Sequence, residues 1–396
     1  MADHKVKFDV VDKSVSVPTG TLISEAAQQA GVEITQPCGG QGRCGRCVVK
    51  LEKGNIRRRS TLRLTSEDIE SGYALACQTV IEGDVEIIIP PQEKIERRLT
   101  TDRTVTKVTI PDGYDPRTGQ TIRRAALQLQ NPSMDDQTDD WSRLQTGIRK
   151  EFGVRQLDAS LDMIRQLGSI LREGDWDVTA TFNTHTWDCD DCPAQLLDLK
   201  PGLILENTPL WGLAIDIGTT TVTVWVVDLL TGTVKAQVSE YNQQISRGED
   251  VISRIIVASK GQGRETLQAL VLDTINDLIE KACKRVKAEQ EDIFKATISG
   301  NSTMMHLLLA IPAESIRLSP FITAINNIPP LSASEVGLNI HPKAVVDCLP
   351  GVASYVGADI TAGALSSGMT TSDEVILFLD VGTNGETVLG SKDFLV

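Results

Sequence analysis

Three cysteines share one glycine-rich stretch, Cys38-Gly39-Gly40-Gln41-Gly42-Arg43-Cys44-Gly45-Arg46-Cys47, and a fourth follows at Cys77. Three thiols on one loop plus one from a later segment can converge on a metal centre. The spacing, C-x5-C-x2-C with a distant fourth cysteine, is one residue longer in its first gap than the C-x4-C-x2-C of plant-type [2Fe–2S] proteins. A structural zinc site would call for two Cys-x2-Cys knuckles, and only one close pair is present here. Disulfides are disfavoured because nothing at the N-terminus resembles a secretory signal. The glycines suit a loop that bends its amides toward sulfides through positive φ angles. An iron–sulfur cluster on Cys38, Cys44, Cys47 and Cys77 is therefore the leading expectation, with zinc as the alternative.

A second chemistry begins at Asp216-Ile217-Gly218-Thr219-Thr220-Thr221, between two strand-like runs. A phosphate-binding Walker loop would carry Gly-Lys-Ser/Thr and lead into a helix, which this turn does not. One glycine and three hydroxyls at a strand-to-strand turn, with an aspartate before them, suit a phosphate, with Asp216 reaching Mg²⁺ through water. Asp380-Val381-Gly382-Thr383-Asn384 repeats the pattern 164 residues on. Two such turns can grip one triphosphate between two lobes, as Mg-ATP requires.

The elements that must position these residues read as follows. Alternation over residues 4–10, a return strand at 14–17, a helix over 22–30 ended by Gly31 and strands at 47–51 and 85–89 surround the cysteine loop. Thr65 is placed to cap a short helix over 66–70. Residues 1–92 thereby resemble the β-grasp ferredoxin domain. The charged stretch 93–125 reads as a linker, with one strand at Val105–Ile110, that would let this domain swing. A small α+β unit is expected over 126–206, with a helix over Leu161–Leu171 facing inward through Leu161, Ile164, Leu167 and Leu171, and a strand over Trp176–Phe182. Cys189-Asp190-Asp191-Cys192 reads as a loop detail, Cys283 as a helical thiol and Cys348 as a loop thiol. Residues 207–396, with a long amphipathic helix over 266–286, resemble the acetate kinase, sugar kinase and actin superfamily. The fold class expected is thus multidomain α+β and α/β: ferredoxin, middle domain, and a partial actin-like (ribonuclease H-like) ATPase domain.

The bulk numbers agree with this picture. Of the net charge of −14, residues 1–92 carry 11 basic against 12 acidic side chains, leaving 28 against 41 for the remainder. An acidic balance without clustered cations argues against nucleic acid. No apolar run reaches the ~18 residues that cross a bilayer, so a cytoplasmic protein with no membrane partner is expected.

With Cys38–Cys77, Ala214–Val222, Asn301–His306, Tyr355–Gly363 and Leu379–Glu386 in this order, the chain resembles the reductive activators of corrinoid-dependent enzymes that carry an N-terminal [2Fe–2S] domain. The resemblance implies an electron passed from the cluster to Co(II) of a corrinoid methyl-transfer protein, regenerating Co(I). It implies a low-potential electron donor, coupling to Mg-ATP held by Asp216, Gly218–Thr221, Asp380 and Gly382–Asn384, and often a homodimer. Members of that family are longer, so a fragment, with an exposed interlobe face and doubtful ATPase activity, is expected. Two other readings stand beside it. One is an activator of 2-hydroxyacyl-CoA dehydratases, which the separate N-terminal cluster domain disfavours. The other is a ferredoxin-type carrier fused to a non-catalytic nucleotide-sensing module.

Overall fold

The computed structural model describes residues 2–9, 12–36, 38–91, 108–110, 113–184, 192–382 and 385–396. Strands β1 (Asp3–Phe8), β2 (Lys13–Pro18), β3 (Val48–Arg58), β4 (Tyr73–Leu75) and β5 (Thr79–Ile88) form a sheet in the order β2-β1-β5-β3-β4. β1 runs antiparallel to β2 and parallel to β5, with Val6 facing Val15 on one side and Val85 on the other. Helix α1 (Ile23–Gln29) buries Ile23, Ala26 and Ala27, an i, i+3, i+4 stripe, against Phe8, Val17, Ile81 and Ile87. α2 (Ser66–Glu70) starts at a capping box in which the Asp68 amide donates to Thr65 Oγ1 at 3.2 Å and the Thr65 amide donates to the Asp68 carboxylate at 2.8 Å.

After the short helix α3 (Pro116–Gly119), β6 (Ile122–Gln128), β7 (Leu157–Asp158), β8 (Asp177–Asn183) and β9 (Ala194–Pro201) make a four-stranded sheet, ordered β6-β8-β9-β7. β6 lies partly inside the stretch read as linker. Of the strand expected at Val105–Ile110, residues 105–107 fall outside the described residues, and Val108–Ile110 are not in a strand. Helices α4 (Asp140–Phe152) and α5 (Leu161–Glu173) pack on the sheet, capped by Asp139 and Ser160. The inward stripe of α5 is Met163, Leu167 and Leu171, whereas Leu161 and Ile164 are 60% and 46% exposed. At 100° per residue Leu161 sits about 120° round the helix from Leu167, too far to share its core face.

The third region has a six-stranded sheet made of β10 (Trp211–Ile217), β11 (Thr221–Asp228), β12 (Thr233–Tyr241), β13 (Ile293–Gly300), β14 (Leu331–Ser332) and β15 (Val345–Cys348). Their order is β12-β11-β10-β13-β15-β14, antiparallel through the first three and parallel from β10 through β13 to β15. Helix α6 (Val251–Ala258) leads to α7 (Gly263–Val286), whose Leu267, Val271, Ile275 and Leu278 bury against Val222, Val224 and Val226. The strict alternation of β11 aims those three valines at one face. Cys348, expected in a loop, is buried at the end of β15.

Helix α8 (Ser302–Leu308) follows β13, then α9 (Glu314–Arg317), α10 (Ala333–Val336) and α11 (Ala358–Ser366). A separate sheet of β16 (Ile376–Val381), β17 (Gly385–Ser391) and β18 (Phe394–Leu395) closes the chain. It leaves Leu377, Leu379 and Val381 exposed along one face of β16.

The three regions touch. Ile122 and Leu197 of the middle sheet share a small core with Leu210, Phe294 and Val345. The Gln36 amide, at the entry to the cysteine loop, donates to the Ser246 carbonyl at 3.1 Å.

Candidate functional site

The loop between α1 and β3 brings Cys38, Cys44 and Cys47 beside Cys77, which sits in the single helical turn Ala76–Gln78 between β4 and β5. Cys44 Sγ lies 3.3 Å from Cys38 Sγ, and Cys47 Sγ lies 3.3 Å from Cys77 Sγ. Gly39, Gly40, Gly42 and Gly45 all have φ between 60° and 79°, the left-handed region that a side chain would make costly. Cys47 and Cys77 are buried, while Cys38 and Cys44 are half-buried, so one end of the group faces outward.

The electrostatics divide each pair. Cys77 is held down at about 7, first by the bond from the Cys47 thiol and against its burial; the same bond and burial push Cys47 up. Burial pushes Cys44 up, whereas bonds from Cys44, Arg43 and Gln41 outweigh burial and hold Cys38 down. One sulfur in each pair thus gives up its proton more readily than its neighbour, and the thiolate is the form that binds metal.

The arrangement also tests which metal would fit. Among the described residues, the one set of three metal-ligating groups lying within 4.8 Å of one another is Asp9, Glu52 and Glu86, so no three of these thiols converge on one point. A single tetrahedral zinc needs all four to do so. Two thiol pairs, each closing on its own metal atom, suit a two-iron cluster. Cys189 lies outside the described residues; Cys192 is in a disulfide. Cys283 and Cys348 are buried thiols that burial pushes up to about 11, and neither reaches this site.

The second site is a cleft of about 550 Å³. The β10–β11 turn lines it with Asp216 and Gly218 to Thr221, and the β16–β17 end with Asp380, Val381, Gly382 and Glu386. Both predicted turns therefore face one space; Thr383 and Asn384 lie outside the described residues. A β-carbon on Gly218 would stand 2.7 Å from the Thr221 carbonyl oxygen, so the turn closes this tightly only with glycine there.

The turn is held from behind. Asn242 Nδ2 donates to the Gly218 carbonyl at 3.0 Å, the Asn242 amide to the Thr220 carbonyl at 2.9 Å, and the Arg254 guanidinium to the Thr219 carbonyl. Both Asn242 and Arg254 are fully buried. Three consecutive carbonyls are thereby tied to the protein side.

Four residues lining the cleft, Asn301, Asp359, Val381 and Glu386, were not among those predicted to bind, and two of them come from elements outside the two turns. Asn301 caps α8, accepting from the Met304 amide at 2.9 Å, and donates to Thr219 Oγ1 at 3.1 Å. Asp359, in the first turn of α11, lines the same cleft as Asp216. The available signal was an acid two residues after Gly357, in the first turn of a helix. Burial, then Asp359, then Asp380, raises the Asp216 carboxyl to about 6. Burial likewise raises Asp359. Three acids around a space lined with hydroxyls suit a hydrated divalent cation carrying phosphates, since Mg²⁺ keeps several waters and takes one or two carboxylates.

Thiol pairs on a β-grasp sheet, joined to a hydroxyl- and carboxylate-lined cleft on a ribonuclease H-like sheet, define a multidomain iron–sulfur protein with an actin-like lobe. Comparison with known proteins makes this specific. Residues 6–82 match the 2Fe-2S iron-sulfur cluster binding domain, 119–205 the RACo linker region and 211–372 the RACo middle region. The chain is a homologue of the corrinoid activation enzyme RamQ of Eubacterium limosum, 26% identical over 98% of this chain and 59% of that protein. It also aligns with the solved structure of a reductive activator for corrinoid,iron-sulfur protein, with TM-score 0.65 and 39% identity over 99% of this chain and 62% of the other. The chain thus spans about 60% of the length of these relatives. The cluster domain alone is 37% identical to the reductase component of the glycine betaine monooxygenase of Pseudomonas aeruginosa, over 21% of this chain and 23% of that protein. Among the described residues, no helix is long and apolar enough to cross a membrane.

Proposed function

We propose that this chain is the electron-delivering and nucleotide-binding portion of an activator that reduces a corrinoid protein from Co(II) to Co(I). The observation that carries the reading is the likeness, over 99% of this chain, to a solved activator for a corrinoid iron–sulfur protein, together with paired thiols and a triphosphate-sized cleft in one fold. Cys38 with Cys44, and Cys47 with Cys77, would each hold one iron. A plant-type cluster supplies a one-electron couple near roughly −400 mV. Held by these four cysteines, that couple would supply the single electron by which Co(II) becomes Co(I).

Gly218 to Thr221 and Gly382 would hold the phosphates of ATP, and Asp216, Asp359 and Asp380 would hold its Mg²⁺ through water. Nucleotide state can bias the protein only through different affinity for two conformations. Thr383 and Asn384, from the second turn, are assigned here on the sequence pattern. A corrinoid methyl-transfer protein is the proposed acceptor, a low-potential carrier the proposed donor, and the cytoplasm the proposed location.

The test mixes the anaerobically reduced protein with a Co(II) corrinoid protein, with and without Mg-ATP, and follows the Co(I) absorbance band. Growth of the band that requires Mg-ATP is expected. Equal Co(I) without nucleotide would sink the coupled reading and leave a simple ferredoxin-type carrier.

A further inference from the structure

Neighbouring residues of α6 reach the two sites from opposite sides. Ser253 underlies the cluster loop: a β-carbon on Gly39 would stand 2.8 Å from the Ser253 carbonyl oxygen and 3.3 Å from its Cα. The loop backbone therefore rests directly on the helix. Arg254, the next residue, is fully buried and points the other way. Its guanidinium donates to the Thr219 carbonyl of the phosphate turn, to Gly248 O at 2.9 Å, to Gln244 Oε1 at 3.0 Å and to Met304 Sδ at 3.1 Å. Met304 belongs to the helix that Asn301 caps at the cleft.

The lead-in to α6 repeats the pattern. The Gln36 amide donates to Ser246 O at 3.1 Å, and Gln244, two residues earlier, is gripped by Arg254. Asp250 stiffens the corner by accepting from the Ser253 amide at 2.8 Å and the Ser253 hydroxyl at 2.9 Å. A buried cation carries a heavy desolvation cost and keeps its place only while its donors are matched. The Thr219 carbonyl, Gln244 and Gly248 must therefore move together or not at all. The cluster side is looser. Beside this contact lies a cavity of about 150 Å³ lined by Gln36, Gly39 and Cys77 and by Arg247, Val257 and Lys260, which leaves room for the loop to shift on the helix.

We propose that the segment from Gln243 through α6 is a lever between the cleft and the cluster loop, with Arg254 as its positioning residue. Filling the cleft shifts the Thr219 carbonyl, Arg254 carries that shift into α6, and the seat of Gln36 and Gly39 on Ser246 and Ser253 changes. This inference rests on the nucleotide reading of the cleft and adds to it the path by which that site reaches the cluster loop.

The experiment is hydrogen exchange on the full chain, cluster-loaded and kept anaerobic, with and without saturating Mg²⁺ and a non-hydrolysable ATP analogue. Binding is measured separately by calorimetry. Threefold or greater change in exchange is expected in the phosphate turn (216–222), in α6 and in the 32–41 peptide that contains the Gln36 amide. In Arg254→Met the 216–222 response persists while the 32–41 response disappears, and Arg254→Lys, which keeps the cation, restores part of it.

Gly39→Ala works from the other side, pushing the loop off Ser253. It is expected to make 32–41 exchange fast without nucleotide, with analogue affinity unchanged within twofold. If the analogue binds and alters 216–222 but wild-type 32–41 stays constant, the lever is overturned and the nucleotide reading stands. If calorimetry shows no binding, the nucleotide reading itself fails. Should Arg254→Met not fold, the wild-type and Gly39→Ala comparisons decide the question.

Discussion

Asn301 Nδ2 donates to Thr219 Oγ1 at 3.1 Å while Asn301 Oδ1 accepts from the Met304 amide at 2.9 Å. One side chain thus starts α8 and fixes a hydroxyl of the β10–β11 turn. Losing a capping asparagine costs about 1 kcal/mol, and the turn loses one of its anchors. Asn301→Ala is expected to lower stability by about 1–2 kcal/mol in urea unfolding. Calorimetry should show nucleotide affinity falling roughly tenfold, the equivalent of one lost hydrogen bond of about 1.4 kcal/mol. Unchanged affinity would remove Asn301 from the site.

Asp216 offers a pH test with a definite sign. Its folded pKa, about 6, lies above its ordinary value of 3.8, so the folded protein binds that proton more tightly than the unfolded chain does. Its contribution to stability is therefore largest below about pH 4, is lost as pH rises toward 6 and stays lost above it. Asp216→Asn should raise metal-free stability at pH 7 by about 1–3 kcal/mol and flatten that pH dependence. The same variant should weaken Mg-nucleotide binding about 10–100-fold. A destabilised Asp216→Asn protein at pH 7 would show that the carboxylate is not held under repulsion.

The thiol pairing predicts spectra. Cys44→Ala should abolish the visible absorbance and the reduced-state EPR signal of a [2Fe–2S] centre, whereas Cys283→Ala should leave both intact. A colourless wild type containing zinc would end the cluster assignment. Because Cys77 is already near 7 and Cys38 is held down, iron and sulfide uptake by the apoprotein should speed up between about pH 6 and 8, as the thiolate population grows.

The capping box under the cluster sheet gives a local control. Thr65→Ala removes the oxygen that accepts from the Asp68 amide and should cost about 0.5–2 kcal/mol in thermal or urea unfolding. Since α2 carries no cluster cysteine, the cluster spectrum should not change; a lost spectrum would mean that α2 positions the loop.

Sequence by itself determined the features that travel with local pattern. Four cysteines with four glycines define a cluster loop because only glycine accepts the required φ angles cheaply. Two Asp-x-Gly-Thr turns declare themselves because each sits between apolar strands, and the caps at Thr65 and the valine alternation of β11 are read from a few adjacent residues. Tertiary structure alone decided the relations between distant segments. It split the four thiols into two pairs, put Asp359 and Asn301 into the cleft beside Asp216, and turned Leu161 and Ile164 of α5 outward. It also set Ser253 and Arg254 back to back between the cluster loop and the Thr219 carbonyl. Such relations depend on which surfaces meet when separate sheets pack, and neither spacing nor periodicity along one stretch carries that information.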